Sequence, residues 1–210
     1  MEKAASEEKK ITIMVVDDHE IVRNGLESLL NSIPGFQVVA RAASGHDAVM
    51  AYCRLNPDIV LMDMNMPDLT AIFAAEMMIK RDYKAKIIMT TTYLREEEVF
   101  LTFKIGAKAY IPKDIPFAHF EKIINKVYLG GTHIPLEMAW CLAKRVGREE
   151  MPIKVSEILK IITEELSPKD IIRYLDSGSQ YTRRCLYEIL FDLQEKEKSE
   201  IEKGGCNETS

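Results

Sequence analysis

Residues Pro57–Pro67 read PDIVLMDMNMP, and this stretch decides the fold class. Between Asp58 and Asp63 it is an uninterrupted apolar run of strand-forming residues, not an alternation of apolar and polar ones. Such a strand is buried on both faces, as in a parallel sheet that is covered by helices on each side. The run ends in a carboxylate, so a charged group stands where this strand leaves the core.

The same kind of apolar run recurs on both sides of this stretch, and each run is followed by a longer segment with helical periodicity. The other strand candidates are Ile11–Val16, Phe36–Ala40, Lys86–Thr91 and Ala109–Ile111. The helix candidates are Ile21–Leu30, His46–Leu55, Ala71–Lys80, Glu96–Lys104 and Phe117–Tyr128. Five strand–helix repeats in succession predict an α/β domain with a five-stranded, doubly wound parallel sheet over residues 11–131.

The sequence pattern changes after residue 131, where the strand candidates end. We expect a linker helix and linker over residues 132–154, a small all-α domain over residues 155–196, and a charged and polar tail over residues 197–210. The helices predicted for the all-α domain are Ser156–Glu165, Pro168–Leu175 and Ser179–Leu193. Two helices joined by a short turn have the geometry of a helix-turn-helix module.

The composition of the chain bounds its class. It has 210 residues, is 47% hydrophobic and carries a net charge of -5, so one or two domains are expected and any nucleic-acid binding needs a local basic patch. No apolar run has the length of a membrane span, and the charged segment Met1–Lys10 lacks the apolar core of a signal peptide. The four cysteines have no paired spacing, which is typical of a reducing compartment. We therefore expect a cytoplasmic protein without a membrane partner.

Polar side chains stand at the carboxyl ends of four predicted strands. They are Asp17 and Asp18 after the first, Asp63 at the end of the third, Thr90–Thr92 at the fourth, and Lys113 after the fifth. Ligands of doubly wound sheets bind at this edge. Three neighbouring carboxylates need a compensating cation, and Mg²⁺ suits such oxygen ligands. A nucleophilic carboxylate flanked by a hydroxyl and an ammonium group has the chemistry that phosphoryl transfer requires.

Three separated segments together resemble the receiver domain of two-component response regulators. They are VVDDH at Val15–His19, PDIVLMDMNMP at Pro57–Pro67 and AYIPKD at Ala109–Asp114. The resemblance covers residues 11–131 and implies a flavodoxin-like fold. It also implies a signalling phosphoprotein, not an enzyme, although a receiver promotes its own phosphorylation and dephosphorylation.

The resemblance assigns a role to each polar residue of the strand ends. Asp63 would be the phosphoacceptor, and Mg²⁺ would be bound by Asp17, Asp18, Asp63 and the backbone carbonyl of Asn65. Counting back from Gly106 in the fourth helix favours Thr91 as the switch hydroxyl, with Thr90 as the alternative. Lys113 would pair with the phosphoryl group, and Tyr110 would be the aromatic residue whose rotamer follows the switch.

Two features depart from the family pattern. The family usually has a glycine a few residues after the Met-Pro pair, whereas this chain has Asp68–Ala71. Thr92 stands where a small residue often follows the switch hydroxyl, which would slow or alter access by small phosphodonors. Taken singly, Asp17 or Asp18 could also be a helix N-cap. His19 is interpreted as a loop or cap residue and not as a metal ligand.

The C-terminal region resembles the DNA-binding domain of NarL/LuxR-type regulators. Glu157–Leu175 resembles its first two helices, and Gln180–Leu190 stands at its recognition helix. Departures occur at Ile172, Thr182 and Cys185. Residues 155–196 contain six basic and eight acidic residues, which disfavours general polyanion binding. The candidate DNA contacts are Lys169, Arg173, Arg183 and Arg184, and the last two could equally belong to a solvated helix face.

The main hypothesis is therefore a response regulator that receives phosphate from a sensor histidine kinase and controls transcription, by releasing the C-terminal module or by promoting a homodimer. The alternative is a phosphorylation-dependent adaptor whose helical module binds a protein and not DNA. A phosphatase of the haloacid-dehalogenase type needs a second aspartate two residues after the nucleophile, where this chain has Asn65.

Overall fold

The computed structural model describes residues 9–67 and 71–135, together with Met138, Ala139 and Leu142. Its strands are β1 Ile11–Val16, β2 Phe36–Ala42, β3 Ile59–Asp63, β4 Ile87–Thr91 and β5 Ala109–Pro112. Its helices are α1 Glu20–Asn31, α2 Gly45–Leu55, α3 Ala71–Arg81, α4 Glu96–Lys104 and α5 Phe117–Tyr128. Strands and helices alternate along the chain, as the apolar runs predict.

The five strands form one parallel sheet in the order β2-β1-β3-β4-β5. The predicted fold class, a doubly wound parallel sheet of the flavodoxin type, is thereby confirmed. The order reverses at β1, so the carboxyl ends of β1 and β3 flank the switch point at which such sheets bind ligands. This topology places the ends of β1, β3, β4 and β5 along one edge of the sheet.

The core lies on both faces of the central strands. Every residue of β3 and β4 is buried, including Asp63 and Thr91 at their ends. β2 is an edge strand, and only its first and last residues, Phe36 and Ala42, are buried. The helices cover the sheet with amphipathic faces; α5, for example, buries Phe120, Ile123, Ile124 and Val127.

The segment that follows α5 returns to the free edge of β5. Gly130 adopts a positive φ of 93° after the helix, a conformation that glycine adopts at little cost. Ala109 and His133 then form a parallel bridge, in which His133 N donates to Lys108 O at 3.0 Å and Tyr110 N donates to His133 O at 3.3 Å. Ile134, the residue that follows His133, is fully buried.

The chain divides into two compact units, Met1–Pro135 and Leu136–Ser210. In the second unit Met138, Ala139 and Leu142 are helical, within the helix predicted after residue 131. The remainder of the predicted linker, the helix-turn-helix module of residues 155–196 and the tail lie outside the described residues. Within the described part of the chain, no helix combines the length and the apolar character needed to span a membrane.

Candidate functional site

Two buried carboxylates and one ammonium group meet at the carboxyl edge of the sheet. Asp17 directly follows β1, Asp63 ends β3, and Lys113 directly follows β5. Lys113 Nζ lies 2.6 Å from Asp17 Oδ2 and 3.0 Å from Asp63 Oδ2. Asp17 and Asp63 are each 1% exposed, whereas the Lys113 side chain is 24% exposed. The sequence prediction that these strand-end residues converge is therefore confirmed in the geometry.

The electrostatics of this group are unbalanced. Burial on its own would lower the pKa of Lys113, but the hydrogen bonds and negative charges of Asp17 and Asp63 outweigh it and raise that pKa. The ammonium group therefore stays charged between the two carboxylates. One positive charge still faces two buried negative ones, with Asp18 beside them, so the site favours a further cation.

The same carboxylates form a cluster that fits a hard divalent cation. Asp17, Asp18, His19 and Asp63 can each offer one ligand atom, and these atoms lie within 4.8 Å of one another. Asp18 Oδ1 is buried without a hydrogen bond, although His19 Nδ1 is 2.8 Å away in poor bonding geometry. A buried carboxylate oxygen without a hydrogen bond is a suitable cation ligand, and oxygen-rich donor sets match Mg²⁺.

Three hydrogen bonds that involve backbone groups fix the positions of Asp17 and Asp63. His19 N donates to Asp17 Oδ1 at 2.9 Å, and Arg23 Nη1 donates to the Asp17 carbonyl at 2.5 Å. Asn65 N donates to Asp63 Oδ1 at 3.2 Å. The loop after β3 is therefore bonded to the Asp63 side chain, and the β1–α1 loop is bonded to Arg23 of α1.

A second polar group lies at the ends of β4 and β5. Lys113 N donates to Thr91 O at 2.7 Å, which brings the two strand ends together. The Thr91 hydroxyl donates to the Tyr93 carbonyl at 2.8 Å. The Tyr110 hydroxyl reaches the same carbonyl at 3.4 Å and donates to Glu98 Oε2 at 2.9 Å. The two predicted switch residues therefore share one acceptor.

Tyr110 is fully buried in this arrangement. Burial is the main cause that raises the pKa of Tyr110 to about 12; the nearby Thr91 hydroxyl acts against it, and the Glu98 carboxylate adds to it. The phenol is consequently neutral and acts as a hydrogen-bond donor at physiological pH.

The remaining predicted residues divide into three groups. Asn65 is exposed and adjoins the site through its backbone, while Thr90 is buried and is the register partner of Asp63. His19 occupies the N-cap position of α1 without a side-chain cap bond, so neither Asp17 nor Asp18 is the N-cap. Two sets of residues lie outside the described part of the chain. They are residues 68–70, in the loop that departs from the family pattern, and the candidate DNA contacts Lys169, Arg173, Arg183 and Arg184.

Three side-chain contacts of this site were not predicted from the sequence. The side chain of His19 belongs to the carboxylate cluster, Arg23 fastens the Asp17 carbonyl, and Glu98 binds Tyr110. Neither the Arg23 contact nor the Glu98 contact follows a helical spacing. Arg23 bonds a carbonyl six residues earlier, in the loop before α1, and the partner of Glu98 lies on another element.

Comparison with known proteins agrees with this geometry. Residues 13–125 match the family described as the response regulator receiver domain. The chain belongs to the response regulators. Their members are signalling proteins, and the predicted family is thereby confirmed.

Similar proteins match between 65% and 92% of this response regulator. It is 28% identical over 206 residues to the transcriptional regulatory protein DegU of Brevibacillus brevis, covering 92% of this chain and 86% of the relative. It is 30% identical over 166 residues to the response regulator VraR of Staphylococcus saprophyticus, covering 77% and 79%. A LuxR-family two-component response regulator from Aurantimonas superposes with a TM-score of 0.61 at 31% identity, covering 65% of this chain and 98% of that structure.

Proposed function

We propose that Asp63 accepts a phosphoryl group from a histidine of a sensor kinase. The observation that carries the proposal is the buried Asp63 carboxylate at the end of β3, with Lys113 Nζ 3.0 Å from it. An oxygen of Asp63 attacks phosphorus, the bond from phosphorus to the histidine nitrogen breaks, and its electron pair stays on that nitrogen. Lys113 then donates hydrogen bonds to the developing phosphoryl oxygens.

Mg²⁺ is the cofactor that this donor set suits. Asp17, Asp18, Asp63 and the backbone carbonyl of Asn65 would hold it, and when bound it would neutralise charge on the transferred group. The buried Asp18 Oδ1 that lacks a hydrogen bond supports this assignment. Arg23 and the His19 amide keep Asp17 oriented toward the site.

The switch follows from the shared acceptor at Tyr93. In this proposal Thr91 is the hydroxyl that turns toward the phosphoryl group on Asp63, and in doing so it gives up the Tyr93 carbonyl. Tyr110 is the neighbouring donor to that carbonyl, so the hydrogen bonding of Tyr110 is coupled to Thr91. The face around β4, β5 and α4 then repacks.

The output we propose is control of transcription through the C-terminal helix-turn-helix, with Lys169, Arg173, Arg183 and Arg184 as DNA contacts. The support is the near full-length similarity to DegU, which is a transcriptional regulatory protein. A phosphorylation-dependent homodimer would bring two such modules together. A protein-binding adaptor remains the second candidate because residues 155–196 carry eight acidic and six basic residues.

Phosphorylation of Asp63 is tested with acetyl phosphate and Mg²⁺ by intact-protein mass spectrometry. We expect the wild-type protein and Asp47→Asn, a matched change at an exposed α2 residue, to gain one acid-labile phosphoryl group. Asp63→Asn should gain none, because its amide is a poor nucleophile. Undiminished labelling of Asp63→Asn would reject the assignment.

A further inference from the structure

The hydroxyl of Tyr110 has two acceptors, and they are not equal. The side chain is fully buried, so its hydroxyl needs a partner inside the protein. Glu98 Oε2 lies 2.9 Å away and carries a charge, whereas the Tyr93 carbonyl lies 3.4 Å away and also accepts from Thr91. The shorter, charge-assisted bond is the stronger one. Glu98 is therefore the main partner of Tyr110.

The position of Glu98 gives this bond a further consequence. Glu98 lies in the first turn of α4, while Tyr110 belongs to β5, so the bond joins two different elements. The other Glu98 oxygen lies 3.4 Å from Arg95 Nη1, an exposed contact of little energetic weight. Tyr110 is therefore the main partner of the Glu98 carboxylate.

We propose that Glu98 is a positioning residue that holds Tyr110 in its buried rotamer before Asp63 is phosphorylated. This inference rests on the proposed function for its reference to phosphorylation. Tyr110 already has its buried rotamer before phosphorylation, and phosphorylation changes its hydrogen bonding through Thr91 and the Tyr93 carbonyl. Removal of the carboxylate makes the buried rotamer depend on phosphorylation.

Fluorine NMR of full-length protein with fluorotyrosine in place of tyrosine tests the proposal. Tyr110→Phe identifies the Tyr110 resonance, and a soluble paramagnetic agent reports its exposure. In the wild-type protein we expect a buried signal that changes little on addition of beryllofluoride and Mg²⁺. In Glu98→Gln the ratio of buried to exposed tyrosine should fall about tenfold at rest, because the charged acceptor is lost. Beryllofluoride should restore it.

Two control variants sharpen the result. Glu76→Gln makes the same change on α3 and should leave the Tyr110 signal unchanged. Within the described residues, the ion-pair partner of Glu76 is Lys80. Arg95→Ala removes the other partner of Glu98 and should also keep the tyrosine buried. A Glu98→Gln signal as buried at rest as the wild type would overturn the proposal, and so would an exposed resting tyrosine in the wild type.

The same samples separate this inference from the proposed function. Labelling of Asp63 by acetyl phosphate is measured on each variant by mass spectrometry. If the wild type is labelled and the Tyr110 signal ignores Glu98, the positioning role alone is wrong. If the wild type is not labelled at Asp63, the proposed function fails whatever the tyrosine does.

Discussion

Lys113 offsets two buried carboxylates with one charge, and its removal should have a specific cost. In Lys113→Met, Asp17 and Asp63 would remain buried without their cation. We expect the free energy of unfolding to fall by about 3 kcal/mol in EDTA, as for other broken buried ion pairs. Mg²⁺ should then raise the melting temperature of the variant more than that of the wild type, because the metal becomes the remaining counter-charge.

Lys122→Met is the matched control for this measurement. Lys122 is an exposed residue of α5, so its removal should shift stability by no more than about 0.5 kcal/mol, with the Mg²⁺ response of the wild type. Equal Mg²⁺-dependent shifts in the Lys113 variant and the wild type would show that the cation is not held by these carboxylates.

Because His133 is largely buried, we expect the stability of the fold to depend on pH. Burial, and then the charge of Lys126, lower the pKa of His133 from 6.5 to about 4. Between these values the unfolded chain binds more protons than the folded one, so stability falls as the pH drops through this window. The loss attributable to His133 should reach up to about 3 kcal/mol near pH 4 and vanish above pH 6.5.

Denaturant unfolding at several pH values checks this prediction. Because carboxylates also titrate in this range, the readout is the difference between the wild type and His133→Gln, whose acid slope should be shallower. His119→Gln, at an exposed position on α5, should keep the wild-type slope. Identical slopes in all three proteins would contradict the burial argument for His133.

At the scale of single residues, the sequence predicted which side chains form the site better than it predicted the hydrogen bonds between them. Asp17, Asp63 and Lys113 could be predicted because a strand end fixes where its next residue stands. The bond between Glu98 and Tyr110 could not, because the spacing of 12 residues joins a helix to a strand and follows no helical or strand period. The approach of His19 to Asp18 likewise depends on the path of the β1–α1 loop.

At the scale of elements, the segment after α5 should stabilise the β5 edge. Ile134 is fully buried, and its neighbour His133 pairs with β5. Ile134→Ala should lower the free energy of unfolding by about 3 kcal/mol, from lost burial and the cavity left behind. It should also speed hydrogen exchange of the Tyr110 amide, whose acceptor is the His133 carbonyl.

Ile21→Ala is a matched change at a side chain that is 86% exposed, and it should cost no more than about 0.5 kcal/mol. Hydrogen exchange followed by NMR gives the Tyr110 amide rate directly. An Ile134→Ala protein with wild-type protection at Tyr110 would show that the segment contributes nothing to the β5 edge.

The elements that sequence patterns predicted well are those with long apolar runs. β1 has its predicted bounds, and β3 differs from its prediction by one residue, because β3 is buried throughout and β1 at every residue but Thr12. β2 extends to Ala42, two residues beyond its predicted end, because Arg41 ended the apolar run although an edge strand tolerates an exposed arginine. The bridge at His133 could not be predicted, since one paired residue has no strand pattern.

At the scale of the whole molecule, net charge determines how the proposed DNA binding would have to be achieved. The chain carries a net charge of -5, so long-range attraction to DNA is absent and affinity must come from a few local contacts. Genomic-fragment capture by the full-length protein should therefore enrich discrete sequences with little non-specific background. Beryllofluoride with Mg²⁺ should strengthen the enrichment, because it mimics phosphorylated Asp63.

Substitution of the two arginines predicted for the recognition helix tests the source of this affinity. Arg183→Ala/Arg184→Ala should weaken binding to an enriched sequence by about tenfold or more, since in this proposal each arginine would supply a base or phosphate contact. The matched double variant Arg54→Ala/Arg81→Ala changes two exposed arginines of α2 and α3 and should bind as the wild type does. If no sequence is enriched in either state while Asp63 is still phosphorylated, the acidic C-terminal module binds a protein, and the adaptor replaces the transcription regulator as the function of this chain.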